Sequence, residues 1–273
     1  MARRARVDAE LVRRGLARSR EHAQSLVAEG RVLISGAPAT KPATAVEPGT
    51  PLRVVEVDNE ISWASRGAHK LLGALAAFGP QGLEVSGRRC LDAGASTGGF
   101  TDVLLHQGAR EVVAVDVGYG QLVWRLQTDD RVTVVDRTNV RGIDAEKIGG
   151  TVDLVVADLS FIALELVLPA FAACVADGGD LVPMVKPQFE VGKDRVGSGG
   201  VVRDPALRAE AVLGVARAAA GFGLTVRGAT ASPLPGPSGN VEDFLWLRAD
   251  GSHDFDEDAV ARMIDVAVRE GPQ

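Results

Sequence analysis

The sequence predicts an α/β fold, a seven-stranded doubly wound sheet preceded by a small N-terminal α+β domain. Three observations carry this expectation. From Arg66 onward, seven short apolar runs alternate with stretches of helical length. One of these runs, Thr151 to Asp158, is almost continuously apolar, as a strand buried on both faces must be. The first sixty residues differ in texture, with short pieces punctuated by glycine and rich in arginine. The expected boundaries are residues 1–58 for the first domain, 59–65 for a linker and 66–273 for the second domain.

In the first domain, Val7 to Arg14 reads as a short helix that Gly15 stops. Ser19 stands where a second helix, His22 to Glu29, needs its N-cap, and Gly30 closes it. Arg31 to Ser35 is a strand and residues 36–39 are a turn; Leu52 to Val57 forms a second strand after Pro48-Gly49. The linker holds Trp63, for which two readings stand: a packing residue at the junction, or a relay between domains.

In the second domain the strands are Arg88 to Ala93, Glu111 to Val117, Val132 to Val135, Thr151 to Asp158, Asp180 to Lys186, Leu224 to Ala231 and Val241 to Arg248. Helices are expected over Gly98 to Gln107, Leu122 to Gln127, Leu164 to Cys174 and Phe255 to Arg269. A further helix starts at Asp204-Pro205, an N-cap followed by proline at the first helical position, and ends near Gly221. No internal repeat or low-complexity tract is present.

Composition narrows the function classes. The chain has 273 residues and a net charge of −6, with 46% hydrophobic residues, which is ordinary for a globular protein. Cys90 and Cys174 stand alone in apolar runs, so a disulfide framework or cysteine-rich zinc site is not expected, and a reducing compartment fits. The basic start lacks the apolar run of a signal peptide, and no stretch of 18 apolar residues exists to span a membrane. The expected location is the cytoplasm. The charge is unevenly placed: residues 1–20 hold seven arginines against Asp8 and Glu10, a local +5 that leaves −11 for the rest. Charge alone suits a polyanion-binding surface and a solvated helix face equally well.

The strongest motif is Leu91-Asp-Ala-Gly-Ala-Ser-Thr-Gly-Gly-Phe-Thr101, a glycine-rich turn between the first strand and a helix. In this architecture such a turn lines the ligand crevice. A dinucleotide fold would show Gly-x-Gly-x-x-Gly and receive a pyrophosphate. Here a carboxylate, Asp92, stands two positions before the first glycine. It suits a ligand with an ammonium group, such as S-adenosylmethionine, better than a pyrophosphate. Asp116 at the end of the next strand is placed for ribose hydroxyls, and Asp136 after the third strand for the adenine.

Four charged residues stand at element ends: Lys70 near the start of a helix, Asp158 and Lys186 at the carboxyl ends of strands, and Glu242 at the start of the last strand. Any one of them alone reads equally well as a solvated end. His69 is a weaker candidate base with a structural reading in front of it. The glycine-rich stretch from Gly192 to Arg203 is open to two readings, a mobile RNA clamp and a plain surface loop.

The residues from Arg6 to Ala23, then Gly30-Arg-Val-Leu-Ile-Ser-Gly36 and Lys41-Pro42, resemble the S4 RNA-binding domain. Asp92-Ala-Gly-Ala-Ser-Thr-Gly-Gly-Phe100 is similar to the signature of FtsJ-like 2′-O-methyltransferases, a Rossmann-like methyltransferase fold. With Arg66-Gly-Ala-His-Lys-Leu71, Val117-Gly-Tyr-Gly-Gln-Leu122, Asp158-Leu-Ser-Phe-Ile162, Val185-Lys-Pro-Gln-Phe-Glu190 and Ser232-Pro-Leu-Pro-Gly-Pro-Ser-Gly-Asn-Val-Glu242, nearly the whole chain resembles the TlyA family, also known as hemolysin A-like.

The resemblance implies S-adenosylmethionine-dependent 2′-O-methylation of cytidines in 16S and 23S ribosomal RNA. It implies a catalytic tetrad of Lys70, Asp158, Lys186 and Glu242. It also implies that Asp92, Gly94, Gly98, Gly99 and Phe100 line the cofactor site and that Asp116 binds the ribose; Ser96 and Asp136 are the further cofactor-site candidates, and Arg3, Arg4, Arg6, Arg14, Arg18, Arg20 and Lys41 the candidate RNA contacts. Lys186 is the expected base, with Lys70 as the cation that helps it lose its proton. The partner is ribosomal RNA or a ribosomal subunit; no metal and no membrane are expected, and a monomer suffices. The linker departs from the family, since Glu60-Ile-Ser-Trp63 lacks the Arg-Ala-Trp of some relatives. The competing classes are a non-catalytic assembly factor, a membrane-lytic protein and an S4-linked pseudouridine synthase.

Overall fold

The computed structural model describes residues 4–17, 19–55 and 61–272, without the side chains of Glu21 and Lys193. It divides into two compact units, Met1–Ser62 and Trp63–Gln273.

The first unit runs β1 (Ala5–Arg6), α1 (Val7–Arg13), α2 (Arg20–Ala28), β2 (Val32–Ile34), β3 (Ala37–Pro38), β4 (Ala45–Val46) and β5 (Leu52–Val54). The hydroxyl of Ser19 accepts from the backbone N–H of His22 at 3.1 Å, which is the N-cap expected of it. The strands pair antiparallel, β1 with β4 and β2 with both β3 and β5. Val7 and Leu11 of α1 and Ala23, Leu26 and Val27 of α2 are buried with Val32 and Val46. The strand expected over Leu52 to Val57 is seen only to Val54; residues 56–60 of that strand and of the linker lie outside the described residues.

The second unit runs α3 (Gly67–Phe78), β6 (Arg89–Ala93), α4 (Gly99–His106), β7 (Glu111–Val115), α5 (Trp124–Gln127), β8 (Val132–Val135), β9 (Val152–Ala157), α6 (Leu168–Cys174), β10 (Val175–Val185), α7 (Pro187–Glu190), α8 (Pro205–Ala220), β11 (Leu224–Ala231), β12 (Asp243–Ala249) and α9 (Glu257–Glu270). Its strands form one seven-stranded sheet in the order β11-β12-β10-β9-β6-β7-β8. The pairs from β8 through β10 are parallel, and β12 runs antiparallel between β10 and β11.

Side chains alternate across this sheet and both faces are covered. Leu91, Val113 and Val155 enter the core cluster formed with α6, α8 and α9. Their neighbours Cys90, Val112 and Leu154 enter the cluster formed with α3 and α4. Double burial is why these strands read as unbroken apolar runs. Both cysteines are free and buried, and burial pushes the Cys90 thiol up to about 12, which leaves it unreactive at neutral pH.

Local differences from expectation have local causes. The helix expected over Leu164 to Cys174 is a 3₁₀ turn, Leu164–Leu166, followed by α6, whose first turn holds Pro169. The last helix starts at Glu257 because the Asp256 carboxylate accepts from the N–H of Ala259 at 2.9 Å. Trp63 is buried in the second unit, with its ring edge-on to His106 at 4.8 Å between centroids.

Strand order sets the position of the site. From β6 the chain builds toward β7 on one side and later toward β9 on the other. A crevice opens at such a reversal, beyond the carboxyl ends of the strands. Asp92 and the glycine turn leave β6 there, and Asp158 leaves β9.

Candidate active site

Two lysine–carboxylate pairs stand at this edge. Lys70, in the first turns of α3, reaches Glu242 with Nζ 2.5 Å from Oε2. Lys186, which follows β10, lies 2.5 Å from Asp158 Oδ1 and donates to the hydroxyl of Ser160 at 3.1 Å. The β10–β12 register ends on Val185 opposite Asp243, so Lys186 and Glu242 occupy the next positions of two adjoining strands. Lys70, Lys186 and Glu242 are buried, while Asp158 is partly open. Excluding water strengthens every charge interaction in such a cluster. The four residues singled out by position therefore form two adjacent ion pairs. Ser160 is an addition that its position gave no reason to single out.

The glycine turn lies against the backbone of Asp158, a member of one of these pairs. Gly94 has φ +86°, and a Cβ there would stand 2.7 Å from the Asp158 carbonyl oxygen and 3.0 Å from the Leu159 side chain. Gly99 is held by packing as well: its Cβ would meet the Ser65 hydroxyl and the Ala68 backbone. Gly98, with φ +100°, faces Leu122 and Leu126. Ser96 is exposed and left-handed at φ +48°. Its N–H donates to Asp116 Oδ2 at 2.8 Å, and Gly118 N–H donates to Asp116 Oδ1 at 2.7 Å. Asp116 is only half-buried, and each carboxylate oxygen keeps acceptor capacity. Asp136 accepts from the N–H of Gly120 at 2.8 Å, which ties the loop after β7 to the end of β8.

Two residues depart from expectation. Asp92 does not open into the crevice. It is fully buried, and its Oδ2 accepts from both the N–H and the hydroxyl of Thr101, at 2.8 and 2.7 Å, so it caps the start of α4. Its Oδ1 is buried without a hydrogen-bond partner, and burial pushes the carboxyl up to about 7. Phe100 is a core residue, with its ring 6.1 Å from that of Phe244. A signature names such residues without giving their direction.

The arginine-rich segment of the first unit is laced with acids. Arg6 and Arg20 both reach Asp8, at 2.8 and 3.4 Å. Arg13 and Arg14 both reach Glu10 at 2.7 Å. The guanidinium groups hold both carboxyls well below the usual range. Arg14 also donates to the carbonyls of Pro48 and Thr50, each at 2.7 Å, so it fastens a loop rather than presenting a free cation. Arg4 pairs with Glu47 at 3.3 Å, and Lys41 is exposed with no ion pair among the described residues. Arg3 and Arg18 lie outside the described residues. The stretch from Gly192 to Arg203 is pinned at its end by Asn240, which accepts from Val202 N–H at 2.9 Å and donates to the Gly200 carbonyl at 2.8 Å.

Fold and charge cluster together define a doubly wound α/β protein with its candidate site beyond the carboxyl ends of the strands. The FtsJ-like methyltransferase family matches residues 63–249, and the S4 domain family matches residues 5–52. The chain is 62% identical over 272 residues to the 16S/23S rRNA (cytidine-2′-O)-methyltransferase TlyA of Mycobacterium tuberculosis, covering 100% of both. It is 34% identical to Hemolysin A of Brachyspira hyodysenteriae, over 87% of this chain and 97% of that protein. A solved hemolysin-like structure from Streptococcus thermophilus superposes with a TM-score of 0.75 at 37% identity, covering 99% of this chain and 98% of that one. The chain belongs to the FtsJ-like methyltransferase family, in the TlyA branch that carries an S4 domain. It is an enzyme of the methyl-transferring class. Among the described residues, no helix is long and apolar enough to cross a membrane.

Proposed function

We propose that this protein methylates the ribose 2′-hydroxyl of cytidines in 16S and 23S ribosomal RNA, with S-adenosylmethionine as donor. The observation that carries the reading is the close approach of the glycine turn to the Asp158 backbone, at the edge where the Lys186–Asp158 and Lys70–Glu242 pairs stand. The 62% identity to a 16S/23S rRNA enzyme supports the substrate.

The residues present fit the donor. The half-buried Asp116 keeps acceptor capacity for ribose hydroxyls, with Ser96 and Gly118 N–H groups orienting it. Asp92 does not face the crevice, but by capping the start of α4 through Thr101 it holds the root of the turn. Gly94, Gly98 and Gly99 keep the turn low, and Asp136 holds the adjoining loop. Phe100 backs the turn from the core. S-adenosylmethionine, when bound, supplies an electrophilic methyl group on a sulfonium.

The protein supplies position and proton transfer. Holding the reacting groups in line is worth about 7–11 kcal/mol, and a well-placed base about 10²–10⁴ in rate. Lys186 is the base in this reading. As the neutral amine it takes up the hydroxyl proton, and Asp158, 2.5 Å away, orients it. The hydroxyl proton then restores the ammonium. Lys70 contributes a second positive charge, fixed by Glu242.

The exposed ends of Arg4, Arg6 and Arg20, with Lys41, are the phosphate-contacting groups, and Arg3 and Arg18 remain candidates. Arg14 acts by shaping this face. The substrate places the enzyme in the cytoplasm, and one chain suffices because all four tetrad residues belong to it. The test is to map ribose methylation in ribosomal RNA from cells with and without the protein. Loss of cytidine 2′-O-methylation in both 16S and 23S molecules is expected; unchanged maps reject the substrate assignment.

A further inference from the structure

Two segments carry the chemistry of the Lys186 pair, the loop from Asp158 to Leu164 and the turn from Lys186 to Glu190. They run side by side and are joined at four points. Asp158 and Ser160 hold Lys186 at the first two. The rings of Phe161 and Phe189 lie 5.3 Å apart at the third. At the fourth, the Glu190 carboxylate accepts from the backbone N–H of Leu164 at 3.0 Å.

This loop does not hold its shape through local preference. Phe161 has φ +64°, a left-handed conformation that a bulky aromatic residue adopts only at a cost of about 1–3 kcal/mol. It is also 92% exposed, so core packing does not hold it there. Such a conformation persists only when its flanks are fixed. The bond from Ser160 to Lys186 fixes the upstream flank. The Glu190 bond fixes the downstream flank, just where the loop enters the Leu164–Leu166 turn.

Glu190 is an unusual group to find in this position. It lines a cavity of about 220 Å³ with Ala163, Val191 and Val215, and burial pushes its carboxyl up to about 7. Leu164 N–H is its one hydrogen-bond donor among the described residues. The nearby arginines are committed elsewhere, Arg195 to Glu210 and Arg217 to Glu257. The nearby Glu165 carries the same charge and opposes ionisation of Glu190.

We propose that Glu190 is a positioning residue for methyl transfer: it clamps the strained 158–164 loop so that Asp158 and Ser160 keep Lys186 in place. The proposal rests on the methyltransferase reading above. It assigns Glu190 no contact with donor or RNA. Without the clamp the loop relaxes and Lys186 loses its registration, and a misplacement of about 1 Å in such a site costs on the order of 100-fold in rate.

The test compares wild type, Glu190→Ala and Glu190→Gln by labelled methyl transfer to ribosomal RNA, donor calorimetry and hydrogen exchange at Leu164. In Glu190→Ala, kcat falls about 10- to 100-fold, donor affinity stays within about twofold, and the Leu164 amide exchanges faster. Glu190→Gln keeps an acceptor oxygen and restores both kcat and slow exchange. If the alanine variant does not fold, Glu190→Asp replaces it, since the shorter side chain loses the reach. Wild-type kcat in the alanine or aspartate variant, or failure of glutamine to rescue, overturns the proposal. Absence of transfer in the wild type defeats the methyltransferase reading instead, and the exchange measurement still reports on the clamp.

Discussion

Both units pair basic side chains with carboxylates, but at different depths. In the first unit Asp8 and Glu10 are buried while all their arginine partners but Arg14 reach solvent: Arg6 is 48% exposed, Arg13 64% and Arg20 58%. In the second unit the lysines are covered too, Lys70 to 10% exposure and Lys186 to 9%. Solvent screens a pair whose cation is exposed, and that guanidinium keeps donors free for a phosphate. Breaking a buried pair leaves an uncompensated charge and costs about 3–5 kcal/mol. The same chemical couple therefore leaves cations at the surface in one unit and covers them in the other, which suits the RNA-contacting and catalytic roles proposed for them.

The sharpest way to break this comparison is at Lys186. Lys186→Ala lowers methyl transfer by about 10²–10⁴-fold, while calorimetry finds donor affinity within about twofold of wild type. Retained turnover would remove Lys186 from the chemistry. Next in size is Glu242→Ala, which strands Lys70 and lowers unfolding free energy by about 3–5 kcal/mol. The double change Lys70→Met with Glu242→Leu recovers stability in denaturant melts without recovering turnover. Recovery of both would make the pair structural only.

A third prediction concerns a buried acid that has no ion-pair contact. Asp243 is buried with both carboxylate oxygens lacking a hydrogen-bond partner, and burial pushes it up to about 6, although Arg208 attracts it from a distance. The folded state binds this proton more tightly than the unfolded chain, so the group's stabilising contribution is present below its unfolded value, about 4, and is lost as pH rises through about 6. Asp243→Asn is therefore more stable than wild type near pH 8, by on the order of 2 kcal/mol. The gap narrows as pH falls toward 5, as thermal melts across that range will read. A pH-independent gap would show that burial does not govern this carboxyl. The smallest effect belongs to the surface. Arg20→Ala leaves Asp8 its bond to Arg6, changes stability by less than about 1 kcal/mol and lowers the salt-dependence slope of RNA binding by about 1. An unchanged slope would take Arg20 out of the RNA contact.

The same contrast of depth explains what could be read from the sequence. The strands of the second unit announced themselves because burial on both faces demands unbroken apolar runs such as Thr151 to Asp158. Lys70, Asp158, Lys186 and Glu242, each alone readable as a solvated element end, stood out as a set because their order resembles the FtsJ-like tetrad. In the first unit, β1, β3 and β4 are two residues each, too short to have a period. Direction was the other illegible quantity. Asp92 turns inward to Thr101 of its own motif, while Phe100 enters the core and Arg14 fastens Pro48 and Thr50 through partners remote in sequence. Glu190 stood in plain view in Val185-Lys-Pro-Gln-Phe-Glu, yet its tie to Leu164 depends on two strands lying side by side.

The most direct test of the central claim, that these two lysine–carboxylate pairs serve transfer to a sugar oxygen, is chemical. Ribosomal RNA labelled by the purified enzyme from methyl-tritiated S-adenosylmethionine is hydrolysed in alkali, which cannot cut next to a methylated 2′-oxygen. The account predicts that the label survives in dinucleotides beginning with cytidine. Label released on mononucleotides would put the methyl group on a base and contradict it.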